Sequence, residues 1–240
     1  MLTPTPFHIL RFIVSGLVFS TTQTAATPPS SALLDSFPVR EVAGVRVVET
    51  PLVRDAEQYA RQHSTDWLYK HVMRSLLFGT LIIQHNETLA STVDPEAHAV
   101  ATLMHDLGWD RRPNSPFVSG DRRFEVDGAF AARAFLEAHE EGRRWQNDGR
   151  MQLVVSKGIG LDFSGPGFGV TEAEYAAVVD RFPKNDLRDG VNDTIVWLCE
   201  TKPATTYDNW MQPWGDRYVA NFSAEGHRRI DSIFANLTSN

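Results

Sequence analysis

The sequence is poorest in cysteine. Cys199 stands alone among 240 residues, which excludes an internal disulfide framework and any cysteine-built zinc finger. A metal held by this chain must therefore use histidine and carboxylate ligands. Runs of positive charge are also absent. Arg111-Arg112 and Arg143-Arg144 are isolated pairs, and the formal net charge is −7. A surface that tracks phosphate backbones needs clustered Lys and Arg, so no nucleic acid is expected as a partner. Long apolar runs are missing too. The stretch from Phe12 to Phe19 is shorter than the roughly 20 residues with which a helix crosses a bilayer, so no stable membrane insertion is expected.

That stretch has a second reading. His8 and Arg11 precede it and the small residues Thr24-Ala25-Ala26 follow it, the layout of a secretory signal. Residues 1–26 are read as either a signal peptide or a disordered extension, which makes the protein secreted in one case and cytoplasmic in the other. N-x-S/T sequons at Asn86, Asn192, Asn221 and Asn236 suit the first alternative.

What is present is ordinary for a globular protein with a real core: 42% apolar and 22% charged residues. Residues 27–50 read as a linker and extended segment, with Val42 to Val48 as one extended piece interrupted by Gly44. Residues 51–240 read as a single helical domain. Helices are expected over Arg54–His63, from Thr65 or Asp66 to Ile83, and from Asp94-Pro95 to a stop at Gly108. Asp94 suits an N-cap there, with Pro95 in the first helical position. A further helix is expected over Phe124–Glu140, ended by Gly142. The glycines of 158–169, together with Pro166, predict a loop. Thr171 and Glu174 have capping-box spacing for the next helix, and Asp186–Glu200 and Phe222–Leu237 read as the last two. The expected fold class is all-α.

The residues that carry chemistry begin with His105-Asp106, at the end of an apolar helix where unpartnered polar groups are costly to bury. A divalent metal would supply the partner, because imidazole and carboxylate both ligate zinc, iron or manganese. His71 lies 34 residues upstream in another apolar helix, so two packed helices would offer converging ligands. Asp162, a single charge among glycine and apolar residues, suits a fourth ligand; by spacing alone it could equally be a turn-forming carboxylate.

Taken together, these segments resemble the HD-domain superfamily of metal-dependent hydrolases, and within it the cyanamide hydratase-like group. The resemblance covers roughly residues 50–235. It rests on His71 in YKHVMRS, MHDLGWD at 104–110, RFEVDGAFAARAFL at 123–136, GIGLDFSGP at 158–166, ETKPATTYDNW at 200–210 and GDRYV at 215–219. It implies an HD-type helical bundle in which His71, His105, Asp106 and Asp162 hold a divalent ion, zinc first and iron or manganese as alternatives. It implies a small-molecule substrate and the hydration of a nitrile-type group. The candidate catalytic residues are then Asp106, Glu125 and Asp127, the last two to orient substrate or water or to shuttle a proton. For both, a charged first turn favoured by the helix dipole is the plainer reading. Trp109 and Phe124 are candidate pocket walls. The alternatives are an HD phosphohydrolase, using Arg74, Arg111 or Arg112 against phosphate, and an inactive HD-fold binding protein.

The chain departs from the family at one place. Relatives of this group carry, between the RFEVDG helix and the GIGLDF segment, a helix with an Ala-Leu-His-Thr-like sequence that adds an imidazole. Residues 144–157 contain no histidine, and about one helix of roughly 20 residues is expected to be absent near 150–157.

Overall fold

The computed structural model describes residues 33–140 and 149–237; residues 1–26 and the helix stop expected at Gly142 lie outside them. The described residues form ten helices, α1 Pro51–Gln62, α2 Asp66–Gln84, α3 Glu87–Thr92, α4 Pro95–Met104, α5 Phe124–Glu137, α6 Gly149–Ser164, α7 Glu172–Arg181, α8 Leu187–Thr201, α9 Gln212–Tyr218 and α10 Arg229–Leu237. One two-stranded sheet precedes them, β1 Val39–Val42 and β2 Val45–Val48. The all-α class therefore holds. No helix among the described residues is long and apolar enough to cross a membrane.

Several ends are set by local chemistry that the sequence displays. Asp94 caps α4 by accepting from the backbone N–H groups of Glu96 and Ala97. Thr171 and Glu174 form the reciprocal capping box of α7. Thr50 caps α1 by accepting from Val53 N, so this helix begins earlier than its apolar spacing indicates.

Helix α4 ends at Met104 and not at Gly108, and α5 at Glu137 and not at Glu140; three further corrections bear on the fold. Val42–Val48 is not one extended piece but most of an antiparallel hairpin in which Val39 pairs with Val48 and Val42 with Val45. Ala43 and Gly44 both have positive φ, 53° and 77°, which closes the two-residue turn with the hand that matches strand twist. The hairpin is no loose linker, since Val45, Val47 and Val48 are buried in the same core as α2 and α4. The second correction concerns the C-terminal helix, which begins at Arg229 rather than Phe222; Asn221 and Gly226 have left-handed backbones, φ 63° and 78°, that no α-helix accommodates.

The third correction matters most. Residues 158–164 are helical, the second half of α6, and not a loop. Helix α2 is buried around most of its circumference and packs against α4 and α6. At its crossing with α6 the backbones nearly touch: a Cβ on Gly158 would lie 2.6 Å from Ser75 O and 2.9 Å from Gly79 N. Glycine here is an approach requirement and not a loop signal. Gly160 meets nothing within 4 Å on the same helix. Alanine substitutions two residues apart are therefore expected to act in opposite directions. Gly158→Ala must push two backbones apart and is expected to destabilise by about 2 kcal/mol. Gly160→Ala gains helix propensity and is expected to stabilise by up to about 1 kcal/mol. Urea unfolding of the two variants checks this, and a stabilised Gly158→Ala would refute the close crossing.

The other side of Gly79 faces His98 of α4, whose Nε2 lies 2.4 Å from where a Cβ would stand. His98 is buried, and burial lowers its pKa to about 4. The unfolded chain binds a proton near pH 6.5 that the folded chain refuses, so stability falls as pH drops from about 6.5 to about 4. The expected loss is about 3 kcal/mol, from 1.36 kcal/mol per pKa unit. A His98→Gln variant should lose this part of the acid dependence, which thermal unfolding between pH 7 and pH 4 would show.

Candidate metal centre

The end of α4 turns the chain so that neighbours in sequence become neighbours in a site. His105 is still helical at φ −60°, whereas Asp106 has left the helix at φ −106° and ψ 18°. Their side chains consequently converge, with His105 Nε2 3.0 Å from Asp106 Oδ2. From α2, His71 brings its Nε2 to 3.4 Å from the same oxygen. The ligand atoms of His71, His105 and Asp106 all lie within 4.8 Å of one another. Two donors at tetrahedral angles about 2.1 Å from an ion stand roughly 3.4 Å apart, so these separations suit one shared cation.

The outer partners set which lone pairs face inward. His105 Nδ1 donates to Thr102 O at 2.7 Å, which leaves Nε2 as a bare acceptor. That acceptor and Asp106 Oδ2 are both buried with no hydrogen-bond partner. Two buried acceptors 3.0 Å apart repel each other unless a metal ion or a shared proton lies between them. This is the observation that makes the cluster fit a metal. His71 Nδ1 donates to Asp162 Oδ2 at 2.6 Å, which likewise turns its Nε2 inward.

Asp162 is thus engaged differently from the expectation that it is a fourth ligand. Arg74 binds it in bidentate fashion, Nε to Oδ1 at 2.6 Å and Nη2 to Oδ2 at 2.8 Å, with Arg74 and Asp162 both buried. Arg74 also donates to the backbone oxygens of Phe182 and Pro183. With both oxygens held, Asp162 orients His71 instead of joining the three-residue group. Arg74 was the missed partner. The signal for it was one guanidinium inside an otherwise apolar helix, which can be buried only with a carboxylate to match.

Electrostatics follow this arrangement. Burial alone would lower the pKa of His71, but the carboxylates of Asp106 and Asp162 outweigh it and raise it to about 9. Burial would raise the pKa of Asp106, and His105 and His71 instead hold it well below the usual carboxylate range. Asp162 is held low in the same way by His71 and Arg74. Asp106 and Asp162 therefore stay ionised throughout the physiological range.

A cavity of about 910 Å³ opens beside the cluster, and His71, His105 and Asp106 are part of its lining. The rest of the wall is mostly apolar. Trp109 and Phe124 both contribute, with ring centroids 5.0 Å apart, and Trp210 and Trp214 extend the aromatic surface. The turn after His105 is pressed onto α5 through glycine: a Cβ on Gly128 would lie 2.6 Å from His105 O, and one on Gly108 would lie 2.1 Å from Phe124 O. These two contacts hold His105 and Glu125 on facing elements.

Glu125 lines the cavity, its carboxylate paired with Arg123 at 2.6 Å. Asp127 does not line it. Its oxygens accept from Ser119, Arg122 and the buried Lys202, at distances from 2.8 to 3.1 Å, which pins the start of α5 to the preceding loop and to the end of α8. Asp127 faces its own cations, so the structure does not bring it to His71, His105 and Asp106. Of the interval expected to lack a helix, residues 149–157 begin α6, whose later residues Ile159 and Phe163 form part of the cavity wall. No protein-family model matches this sequence, and no curated protein matches it.

Proposed function

We propose that this chain is a metal-dependent HD-type enzyme that hydrates a nitrile-type group, the activity that its resemblance to the cyanamide hydratase-like group implies. The observation that carries this reading is the pair of unpartnered acceptors, His105 Nε2 and Asp106 Oδ2, which face each other at the wall of an apolar cavity. His71, His105 and Asp106 would hold the ion; the mixed nitrogen and oxygen donor set suits zinc first, with iron or manganese as alternatives. Such an ion lowers the pKa of a water and polarises a substrate.

The protein's own groups supply the rest. Thr102 O and Asp162 fix the two imidazoles, so neither ring has to rotate when substrate binds. The aromatic wall gives the site a mostly apolar lining. Glu125 is the wall carboxylate that orients the attacking water and carries a proton to the nitrile nitrogen, and water plus nitrile then gives the amide with no other product. Asp127 takes no part, because its charge is spent on Lys202 and Arg122.

A phosphate substrate has less support. Arg74 is bound to Asp162 and Arg112 to Asp110, and the Arg111 guanidinium lies over the Trp197 ring. The test is to purify the protein, measure its metal content, and assay zinc-, iron- and manganese-loaded forms on cyanamide, simple nitriles and a panel of nucleoside monophosphates. Nitrile hydration is expected, with kcat lowered at least about 100-fold in Glu125→Gln. Phosphate release without hydration would overturn the reading in favour of a phosphohydrolase. Purified protein without stoichiometric metal and without turnover would make the chain a binding protein.

A further inference from the structure

The cavity is far larger than a nitrile of a few atoms requires, since a volume of about 910 Å³ is in the range of sites for drug-sized ligands. A second cavity of about 710 Å³ adjoins it and shares Phe163, Val191 and Trp214 as walls. It lies between the end of α6, the first turn of α8 and α9. Its charged lining differs in kind from that of the metal cavity.

Arg188 and Arg217 both line this second cavity. Among the described residues the Arg188 side chain has no ion pair or hydrogen bond, and the Arg217 side chain has only the ring of Tyr218 beneath it, 5.3 Å from the guanidinium carbon. Lys184 also lines it but is already committed, donating to Tyr175 Oη at 2.6 Å and to the backbone oxygen of Asp162. Of the two carboxylates in the wall, Asp162 is neutralised by Arg74 and His71, which leaves Asp189 alone against two uncommitted guanidinium groups. The local balance is positive in a chain whose net charge is −7.

We propose that the two cavities form one bipartite substrate site, and that the substrate is an organic anion with an aryl-sized apolar body. The body lies against the aromatic wall of the metal cavity, and the anionic group, a carboxylate or its like, docks between Arg188 and Arg217. The proposal rests on the hydration reading only for the identity of the reacting group. The remote charge explains the large cavity: binding energy from groups away from the reacting bond holds that bond against the metal.

The experiment uses the full chain and two fluorescent probes of nearly equal shape, anilinonaphthalene sulfonate and its uncharged parent phenylnaphthylamine. The sulfonate should bind about tenfold more tightly than the neutral probe, as a charge-assisted contact warrants, and should displace it competitively. Arg188→Ser with Arg217→Ser should weaken the sulfonate about tenfold and leave the neutral probe within about twofold. Arg54→Ser with Arg61→Ser, two exposed charges on α1, serves as the control for net charge and should change neither.

Equal affinities for the two probes, additive instead of competitive binding, or a sulfonate affinity untouched by the double substitution would each overturn the proposal. The neutral probe reports on folding, because a variant that unfolds loses both ligands. Binding is read without turnover, so a protein that binds the sulfonate as described and hydrates no nitrile would sink the proposed reaction and leave the bipartite site standing.

Discussion

Replacing His105 with alanine is expected to take the purified protein from about one bound divalent ion to less than about a tenth. Loss of an outer-sphere partner already weakens metal binding by roughly 10–100-fold, and loss of a direct ligand costs more. The fold should survive, because the imidazole makes one hydrogen bond, to Thr102 O, and its removal relieves two facing acceptors. Circular dichroism and a melting temperature near that of the metal-free parent would confirm this. Wild-type affinity should also depend on pH with a definite sign. The metal must displace a proton from His71, whose pKa without metal is about 9. Apparent affinity should therefore fall about tenfold for each pH unit below 9, through this group alone. Stoichiometric metal in the purified His105→Ala protein would sink the assignment of the centre.

The second large effect falls on stability. Asp162→Ala leaves the guanidinium of Arg74 buried with no counter-charge, and breaking one side of a buried pair costs about 3–5 kcal/mol. For a chain of this size the melting temperature should drop by roughly 10 °C. Removing both charges, with Arg74→Met and Asp162→Leu together, should recover much of that loss, because an apolar pair pays no desolvation cost. It should not recover metal affinity, since His71 then has no carboxylate to hold its ring. That split between stability and affinity separates the two duties of Asp162. If the single and double variants melt together, the pair is not what holds α2 to α6.

The centre is partly legible in the sequence. His71, His105 and Asp106 stand out because each is a polar group in an apolar helical stretch, and burial without a partner is costly. Asp162 stands out for the same reason, but its duty does not. The residues that bind it, His71 and Arg74, are 91 and 88 positions away in the chain. Asp127 shows the limit from the other side. Its place in the first turn of α5 is local and correctly read, whereas the cation that claims it, Lys202, comes from 75 positions further on.

What the sequence by itself determined are the properties that a few neighbouring residues decide: the caps at Asp94 and Thr171, the apolar faces of the helices, and the histidine-and-carboxylate character of any metal site. Those depend on contacts within one or two turns, where the chain's own spacing puts the partners in reach. Tertiary structure alone decided that Gly158 marks a helix crossing and not a loop, because glycine serves both uses and only the approach of Ser75 and Gly79 tells them apart. It also decided that Asp162 turns toward Arg74, since a buried guanidinium takes the nearest carboxylate that packing offers, and packing is not a local property.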